Sequence, residues 1–421
     1  MLLGSGLVHL LHIPESLKPP DVYRKDFIQE YLLGRAVMAG IDPYLPVATL
    51  AEKFMRDLPV PVFPHVTPHP PPVAVLSLPL GLLSYERAAW VWFVFELACL
   101  AGSIWILLRC VDRIPSAGVL ILLFLISIAW APVWTGLVVG QLMTLLLFLL
   151  VSSWFALKKT RDGVAGGLLG LALALKLMGM PLLVFLVVRK RWMAATVAIA
   201  VAGAANGAAA VLMGFERVVN YYFTTIKALF PLYRSAVHNL SAWSVGWRLF
   251  EGTGSPVDLS VRAAPLLNQP GLAPLVSTAI AIFILAVGVL WAVRAHDIDT
   301  SIGILICVTV LISPVAWSHY LVLMAIPLAV AFHKLSKRQF PGKQCFLLIG
   351  VVLLMGIPSP QLHNFQASFA ENQALNPPVT VSFAVGLLGL SYSIAIVVLL
   401  GFLRYLDRGR HFAANSSHGL A

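Results

Sequence analysis

The chain has 421 residues, of which 59% are hydrophobic and 11% charged, against about 25% charged in ordinary soluble domains. That balance excludes a soluble globular protein and, with apolar runs of roughly 20 residues recurring along the chain, reads as a polytopic α-helical membrane protein. The net charge of +11 does not point to nucleic acid, because the basic residues fall in short clusters between apolar segments, as in cytoplasmic loops.

In chain order, residues 1–13, MLLGSGLVHLLHI, form a short or truncated first membrane helix, since a full crossing needs about 20 apolar residues. A cleaved signal peptide is disfavoured by the lack of a basic start. Residues 14–85 form an outer loop in which 72–83, interrupted by Pro79, reads as an interfacial helix or half-buried entry segment. A transmembrane bundle is predicted over 86–406, with apolar segments at 86–108, 116–133, 141–157, 192–214, 272–294, 300–316, 319–333, 345–357 and 380–403. Residues 134–140 and 313–318 are expected as turns, 215–270 and 358–379 as outer loops, and 407–421 as a disordered cytoplasmic tail. The clusters Arg109 and Arg113, Lys158 to Arg161, Arg189 to Arg191, Lys334 to Arg338 with Lys343, and Arg404 to Arg410 then share one face, the cytoplasmic one.

Residues 163–188 have basic clusters at both ends, so one crossing would strand a cluster on the wrong side. A hairpin of two short helices resolves this, each arm of about 12 residues rising roughly 18 Å against a core of about 30 Å. Lys176 sits at its middle, at a depth that costs roughly 2.5–3.5 kcal/mol on insertion scales and that calls for a partner. A phosphate, an ion pair with Glu96, or snorkelling to an interface would each serve.

The remaining polar residues have two readings each. Asp26, followed by Gln29 and an amphipathic run, is a good helix N-cap with a capping-box partner. Glu30 lies one helical turn beyond it, and Asp42 shapes the turn before Pro43. His319, in the outer turn SPVAWSHY, is either a hydrogen-bond donor to a substrate or an interfacial histidine beside Trp317 and Tyr320. Gln141 and Asn239, at outer helix ends, suit sugar hydroxyls or helix caps equally. His65 and His69 have loop spacing rather than metal-ligand spacing, and Cys99, Cys110, Cys307 and Cys345 read as core residues, so no metal site is expected. Arg24, Lys25 and Arg234 are juxtamembrane bases that suit anionic head groups.

Five stretches in order, DFIQEYLLGRAVMAGIDPY at 26–44, GQLMTLLLFLL at 140–150, AGGLLGLALALKLMGMPLLVFLVVRKRW at 165–192, HNLSAW at 238–243 and SPVAWSHYLVLMAIPL at 313–328, resemble glycosyltransferase family 87. These are polyprenyl-phosphate-mannose-dependent α-mannosyltransferases of the GT-C superfamily. The chain differs from that pattern at Met143, where a polar residue is expected, and at Leu177, where proline often follows the lysine.

The resemblance implies a GT-C-type helical bundle whose extracytoplasmic loops form the active site, in a multi-pass protein of the cytoplasmic membrane with that site facing outward. It implies inverting, metal-independent transfer of a mannosyl or other hexosyl residue from a polyprenyl-phosphate-linked sugar to a glycolipid or glycan acceptor. Membrane lipids are the further partners, and neither a cofactor nor nucleic acid is expected. Such chemistry needs a carboxylate base and groups that stabilise the departing phosphate. By the resemblance Asp26 is the catalytic base, Lys176, His319, Gln141, Asn239 and Tyr320 bind the donor phosphate or sugar, and Glu30, Tyr31, Asp42 and Tyr44 are secondary candidates. The competing class is a transporter or flippase of polyisoprenyl-linked glycans, which should show internal repeats with paired broken helices; a subunit that has lost catalysis is a second rival.

Overall fold

The computed structural model describes residues 10–55, 58–114, 116–254, 262–358 and 390–408. Residues 359–379 of the predicted outer loop, residues 1–9 of the first helix, the start of the 380–403 segment and nearly all of the tail lie outside them. Among the described residues the chain is all-α, with one isolated pair of bridged residues, Thr253 and Ala263, and no strand.

The chain enters through two 3-10 turns, Ile13–Leu17 and Asp21–Arg24, followed by α1 (Phe27–Met38), α2 (Val47–Phe54) and α3 (Pro71–Gly81). The long α4 (Tyr85–Cys110) leads to α5 (Ala117–Ala129), α6 (Ala131–Val139), α7 (Met143–Lys158) and α8 (Asp162–Leu175). Then come α9 (Met180–Val188), α10 (Trp192–Met213), α11 (Phe215–Asn220), α12 (Ile226–Tyr233) and α13 (Trp243–Phe250). The chain ends with α14 (Leu272–Val293), α15 (Ile298–Ile312), α16 (Ala325–Ser336), α17 (Gly342–Met355) and α18 (Ser391–Arg408). Tyr85–Cys110, Trp192–Met213, Leu272–Val293 and Ser318–Ser336 are long and apolar enough to cross a membrane, and the bent pair α5 and α6 makes a fifth.

Several boundaries differ from the sequence expectation. The segment expected to end at 133 breaks earlier, at Trp130, where α5 and α6 meet at 77°. Pro132 in the first turn of α6 has no N–H and crowds the carbonyl four residues back, which a straight helix cannot accept. Residues 134–139, expected as a turn, are therefore helix, and the turn is Gly140, in the left-handed region at φ 73°. Among its described residues, the expected loop 215–270 holds three α-helices and a π-helical turn at Tyr221–Thr225. Helix α15 stops at Ile312 rather than 316, short of Pro314, and α16 is preceded by a 3-10 stretch, Ser318–Met324. Helix α18 runs through Asp407 and Arg408, the first two residues assigned to the tail.

The chain divides into two compact units, Met1–Gly179 with Arg191–Pro231, and Met180–Lys190 with Leu232–Ala421. In the first, α4, α7 and α8 pack in sequence and α3 lies against α1 and α10. Helices α8 and α10 run parallel: Gly166 meets the Ala194 backbone and, one turn on, Gly170 meets Ala198 and Val201. At the start of both helices Arg191 Nε donates to Asp162 Oδ2 at 2.9 Å. Because α8 and α10 run parallel, residues 177–190, which include α9, must carry the chain back, and the break falls at Lys176, whose backbone is extended at φ −162°, ψ 124°. The opposite end of α8, where Asp162 and Arg191 meet, carries the basic residues, with Lys158 Nζ donating to the Cys110 carbonyl.

In the second unit, Asp407, 0% exposed, accepts from the His296 backbone N–H at 3.2 Å and from Arg404 at 2.9 Å, and its carboxylate lies 3.0 Å from the His296 ring. Lys334 reaches Asp297, the N-cap of α15, at 2.8 Å. Together these contacts fasten the ends of α14, α15, α16 and α18 to one another.

The α8–α10 contact depends on having no side chain at Gly170, where a Cβ would press on the Ala198 carbonyl and Val201, whereas Gly167 has open space around its Cα. Gly170→Ala is expected to lower the melting temperature of the detergent-solubilised protein by several degrees, corresponding to an overpacking cost of about 1–3 kcal/mol. Gly167→Ala, which gains helix propensity without a clash, is expected to leave it unchanged or raise it.

Candidate functional site

The bend at Trp130 and the turn at Gly140 deliver the C-terminal end of α6 to the start of α1. There Lys25 Nζ donates to the Val138 carbonyl and to Ser16 Oγ, the latter at 2.9 Å. The Gly140 carbonyl accepts from Trp92 Nε1 at 3.0 Å, and a Cβ on Gly140 would lie 2.9 Å from Phe27 Cβ. Phe27 stacks on Trp92 with ring centroids 5.5 Å apart. The adjacent residue, Gln141, is thereby aimed at Asp26, and its Nε2 donates to Asp26 Oδ2 at 2.6 Å.

Asp26 stands at the N-cap position of α1 but does not cap it. Its backbone is already helical at φ −61°, ψ −28°, and its side chain makes no hydrogen bond to the first turn. The carboxylate is half-buried, and Oδ1 has no hydrogen-bond partner among the described residues. Burial is the main reason that its pKa rises to about 6; the negative charge of Glu30 adds to the rise, while the Gln141 hydrogen bond and the charges of His69 and Lys176 work against it.

One turn along α1, Glu30 is 1% exposed and its Oε1 lies 3.0 Å from Nε2 of His69, itself 2% exposed. The His69 loop is tied down by backbone contacts: Tyr44 donates to the His69 carbonyl at 3.1 Å, and Tyr221 donates to the Pro68 carbonyl at 2.6 Å. Tyr44 and Tyr221 also pack with ring centroids 4.9 Å apart. Burial, reinforced by the two neighbouring tyrosines and Asp42, holds the Tyr44 phenol well above its usual pKa, so it stays a donor. Asp42 Oδ1 accepts from the Tyr44 backbone N–H at 3.0 Å, the turn role expected of it, and Tyr31 donates to the Leu83 carbonyl at 2.9 Å.

Lys176, at the break after α8, brings a cation to the same place. Its Nζ lies 3.9 Å from Met143 Sδ, and the carboxylates whose charge acts on it are Glu30 and Asp26. Glu96, a candidate partner by sequence, instead receives a hydrogen bond from Thr144 Oγ1 at 3.4 Å and feels the charge of Lys25. Lys25 is therefore not a head-group contact: it is 3% exposed, and burial pushes its pKa down to about 8 against the pull of Glu96, Asp21 and Asp26. Arg24 pairs with Asp21 at the surface at 2.9 Å.

The first unit thus gathers Asp26, Glu30, Gln141 and Lys176, with Tyr31, Asp42 and Tyr44 holding the surrounding backbone. Sequence reasoning missed His69 as a partner of Glu30, because its proline-rich loop gives no spacing relation to α1. His319, Tyr320 and Asn239 belong to the second unit. His319 is buried in the 3-10 stretch, its ring 4.9 Å from that of Tyr320. Asn239, 0% exposed, donates to the Tyr233 and Pro314 carbonyls at 3.2 and 3.3 Å. Its Oδ1 accepts from the Ser241 and Ala316 N–H groups, each at 3.0 Å, so all of its amide capacity is spent joining two loops. Arg234 lies 3.9 Å above the Trp247 ring and 2.7 Å from Glu251.

A polyprenol-phosphate-mannose-dependent alpha-(1-2)-phosphatidylinositol pentamannoside mannosyltransferase from Mycobacterium tuberculosis (strain CDC 1551 / Oshkosh) is 28% identical over 363 residues, covering 83% of this chain and 75% of the relative. No solved structure matches the chain. The sequence profile of glycosyltransferase family 87 matches residues 67–314, a stretch that contains His69, Gln141 and Lys176 and begins after Asp26 and Glu30. With that match extending over more than half of its length, the chain belongs to glycosyltransferase family 87.

Proposed function

We propose that the protein transfers a mannosyl residue from a polyprenyl-phosphate sugar to a lipid-linked or glycan acceptor at the outer face of the membrane, with inversion and without a metal. The observation that carries this reading is a carboxylate with one oxygen held by an amide and the other left for a hydroxyl, beside a lysine at the apex of a chain reversal. The family membership supports the enzyme class, and the mycobacterial relative supports the donor and a glycolipid as the acceptor class.

The step balances as a single displacement. The acceptor hydroxyl oxygen forms a bond to the anomeric carbon while the bond from that carbon to the phosphate oxygen breaks. The bonding pair leaves with the polyprenyl phosphate, and the hydroxyl proton passes to Asp26 Oδ1. With a pKa near 6, Asp26 is mostly ionised at pH 7 and more basic than an ordinary carboxylate near 3.9, which suits a general base. Gln141 fixes the orientation of the carboxylate, and Lys176 offers positive charge to the phosphate as it departs. His319 and Tyr320 are further candidates for the sugar or phosphate.

Two features support an outward-facing site. Trp92, which marks the level of Gly140 and Gln141, lies about 18 residues or roughly 27 Å along α4 from Cys110. The Cys110 end carries Arg109, Arg113, Lys158, Arg161 and Arg191, the excess of positive charge that marks the cytoplasmic side.

Asp26→Asn is expected to lower the initial rate of radiolabelled mannose transfer from polyprenyl phosphate mannose into a host lipid extract by about 100-fold or more, at unchanged protein level. Near-wild-type activity in that variant would remove Asp26 as the base, and absence of transfer by wild type would remove the donor assignment. The pH profile gives a second check. Because protonated Asp26 cannot accept a proton, kcat/KM should fall as the pH drops through about 6 rather than through about 4. Gln141→Leu removes the donor that favours the ionised form, so this acid limb should move up by roughly half a unit to one unit; a downward shift would contradict the geometry.

A further inference from the structure

The transfer step uses Asp26, Gln141 and Lys176 and gives Glu30 and His69 no task, although both are almost completely buried. Burying a carboxylate without compensation costs several kcal/mol, so a buried acid beside a catalytic one needs a reason. Two acids on adjacent turns of α1, Asp26 and Glu30, face one lysine, Lys176. The charge that acts most on Lys25 is that of Glu96, ahead of those of Asp21 and Asp26. If Lys176 alone answered both acids, the local sum would be one negative charge, and a phosphodiester carrying another would be repelled. The imidazole of His69, with Nε2 3.0 Å from Glu30 Oε1, changes that sum to zero when protonated.

We propose that His69 is a positioning residue for donor binding: paired with Glu30, it keeps that carboxylate from neutralising Lys176, whose charge then meets the phosphate of the polyprenyl-phosphate sugar. This rests on the mannosyl-transfer reading above. The architecture around His69 is consistent with that task, because Tyr44 and Tyr221 hold its loop through backbone carbonyls while Nε2 lies 3.0 Å from Glu30 Oε1, an ion-pair distance without hydrogen-bond alignment. The displacement described above assigns the dyad no contact with the reacting atoms, so its effect should fall on donor affinity.

The test is the dissociation constant for polyprenyl phosphate mannose, without acceptor, on the purified full-length protein in detergent. His69→Gln is expected to weaken binding by about 10-fold, the size of one uncompensated charge at partly screened range. The double variant Glu30→Gln/His69→Gln removes the acid together with its neutraliser and should return to within about 2-fold of wild type. Glu30→Gln alone should bind at least as tightly as wild type, and it carries the test if His69→Gln does not fold. Wild-type affinity in His69→Gln, a double variant as weak as His69→Gln, or weaker binding in Glu30→Gln would each overturn the proposal. The first two of these would leave donor use intact. Failure of the wild-type protein to bind the donor would overturn the mannosyl-transfer reading as well, and is thereby distinguished from them.

Discussion

The hydrogen bond from Gln141 to Asp26 is the contact on which the first unit's site depends. It joins the start of α1 to the end of α6, and it forms only because Pro132 bends the chain at Trp130 and Gly140 turns it again in the left-handed region. Trp92 on α4 closes the arrangement by donating to the Gly140 carbonyl and stacking on Phe27. Burial gives Asp26 its chemistry, and the same contact tempers it. A carboxylate that is half removed from water and held by a single amide is ionised at neutral pH yet keeps a higher proton affinity than a solvated one.

The second constraint is the reversal between α8 and α10. Because these helices run parallel, with Gly166 and Gly170 letting the backbones approach, the chain must return between them, and Lys176 occupies the break. A cation at the apex of a reversal is displaced from the basic end of the bundle by the length of α8, 14 residues, or roughly 21 Å. The cost of that placement is offset in part by Asp26 and Glu30, and the same acids limit how much positive charge remains for an incoming anion. Stability of the buried charges and affinity for an anion are therefore coupled through one small set of residues.

In the second unit, polar residues serve architecture. Asn239 spends its whole amide on four backbone groups, and Arg248 donates to the Ala236 and Val237 carbonyls at 2.7 and 3.1 Å and to the Asn239 carbonyl. Both pin the turn after α12, and Asn239 also reaches the segment that leads to His319. Satisfying backbone carbonyls in a low-dielectric setting is worth more than a surface hydrogen bond, which explains why polar side chains persist in this otherwise apolar chain.

Composition and hydrophobic runs determined the class of the fold, because the bilayer imposes a length and an apolarity that any crossing helix must meet. Those signals are local, and so are the break expected near Lys176, set by basic clusters at both ends of a short apolar stretch, and the turn made by Asp42 before Pro43. The family was legible from five ordered stretches. What the sequence left open was which polar groups meet. Asp26 followed by Gln29 satisfies every local rule for a helix cap, yet its side chain turns instead to Gln141, 115 residues away. Lys25 reads as a surface base and is buried against the end of α6. His69 reads as part of a proline-rich loop and pairs with Glu30. In each case the partner is chosen by packing between distant elements, where burial makes an unpaired polar group costly, and no spacing rule along the chain encodes that choice.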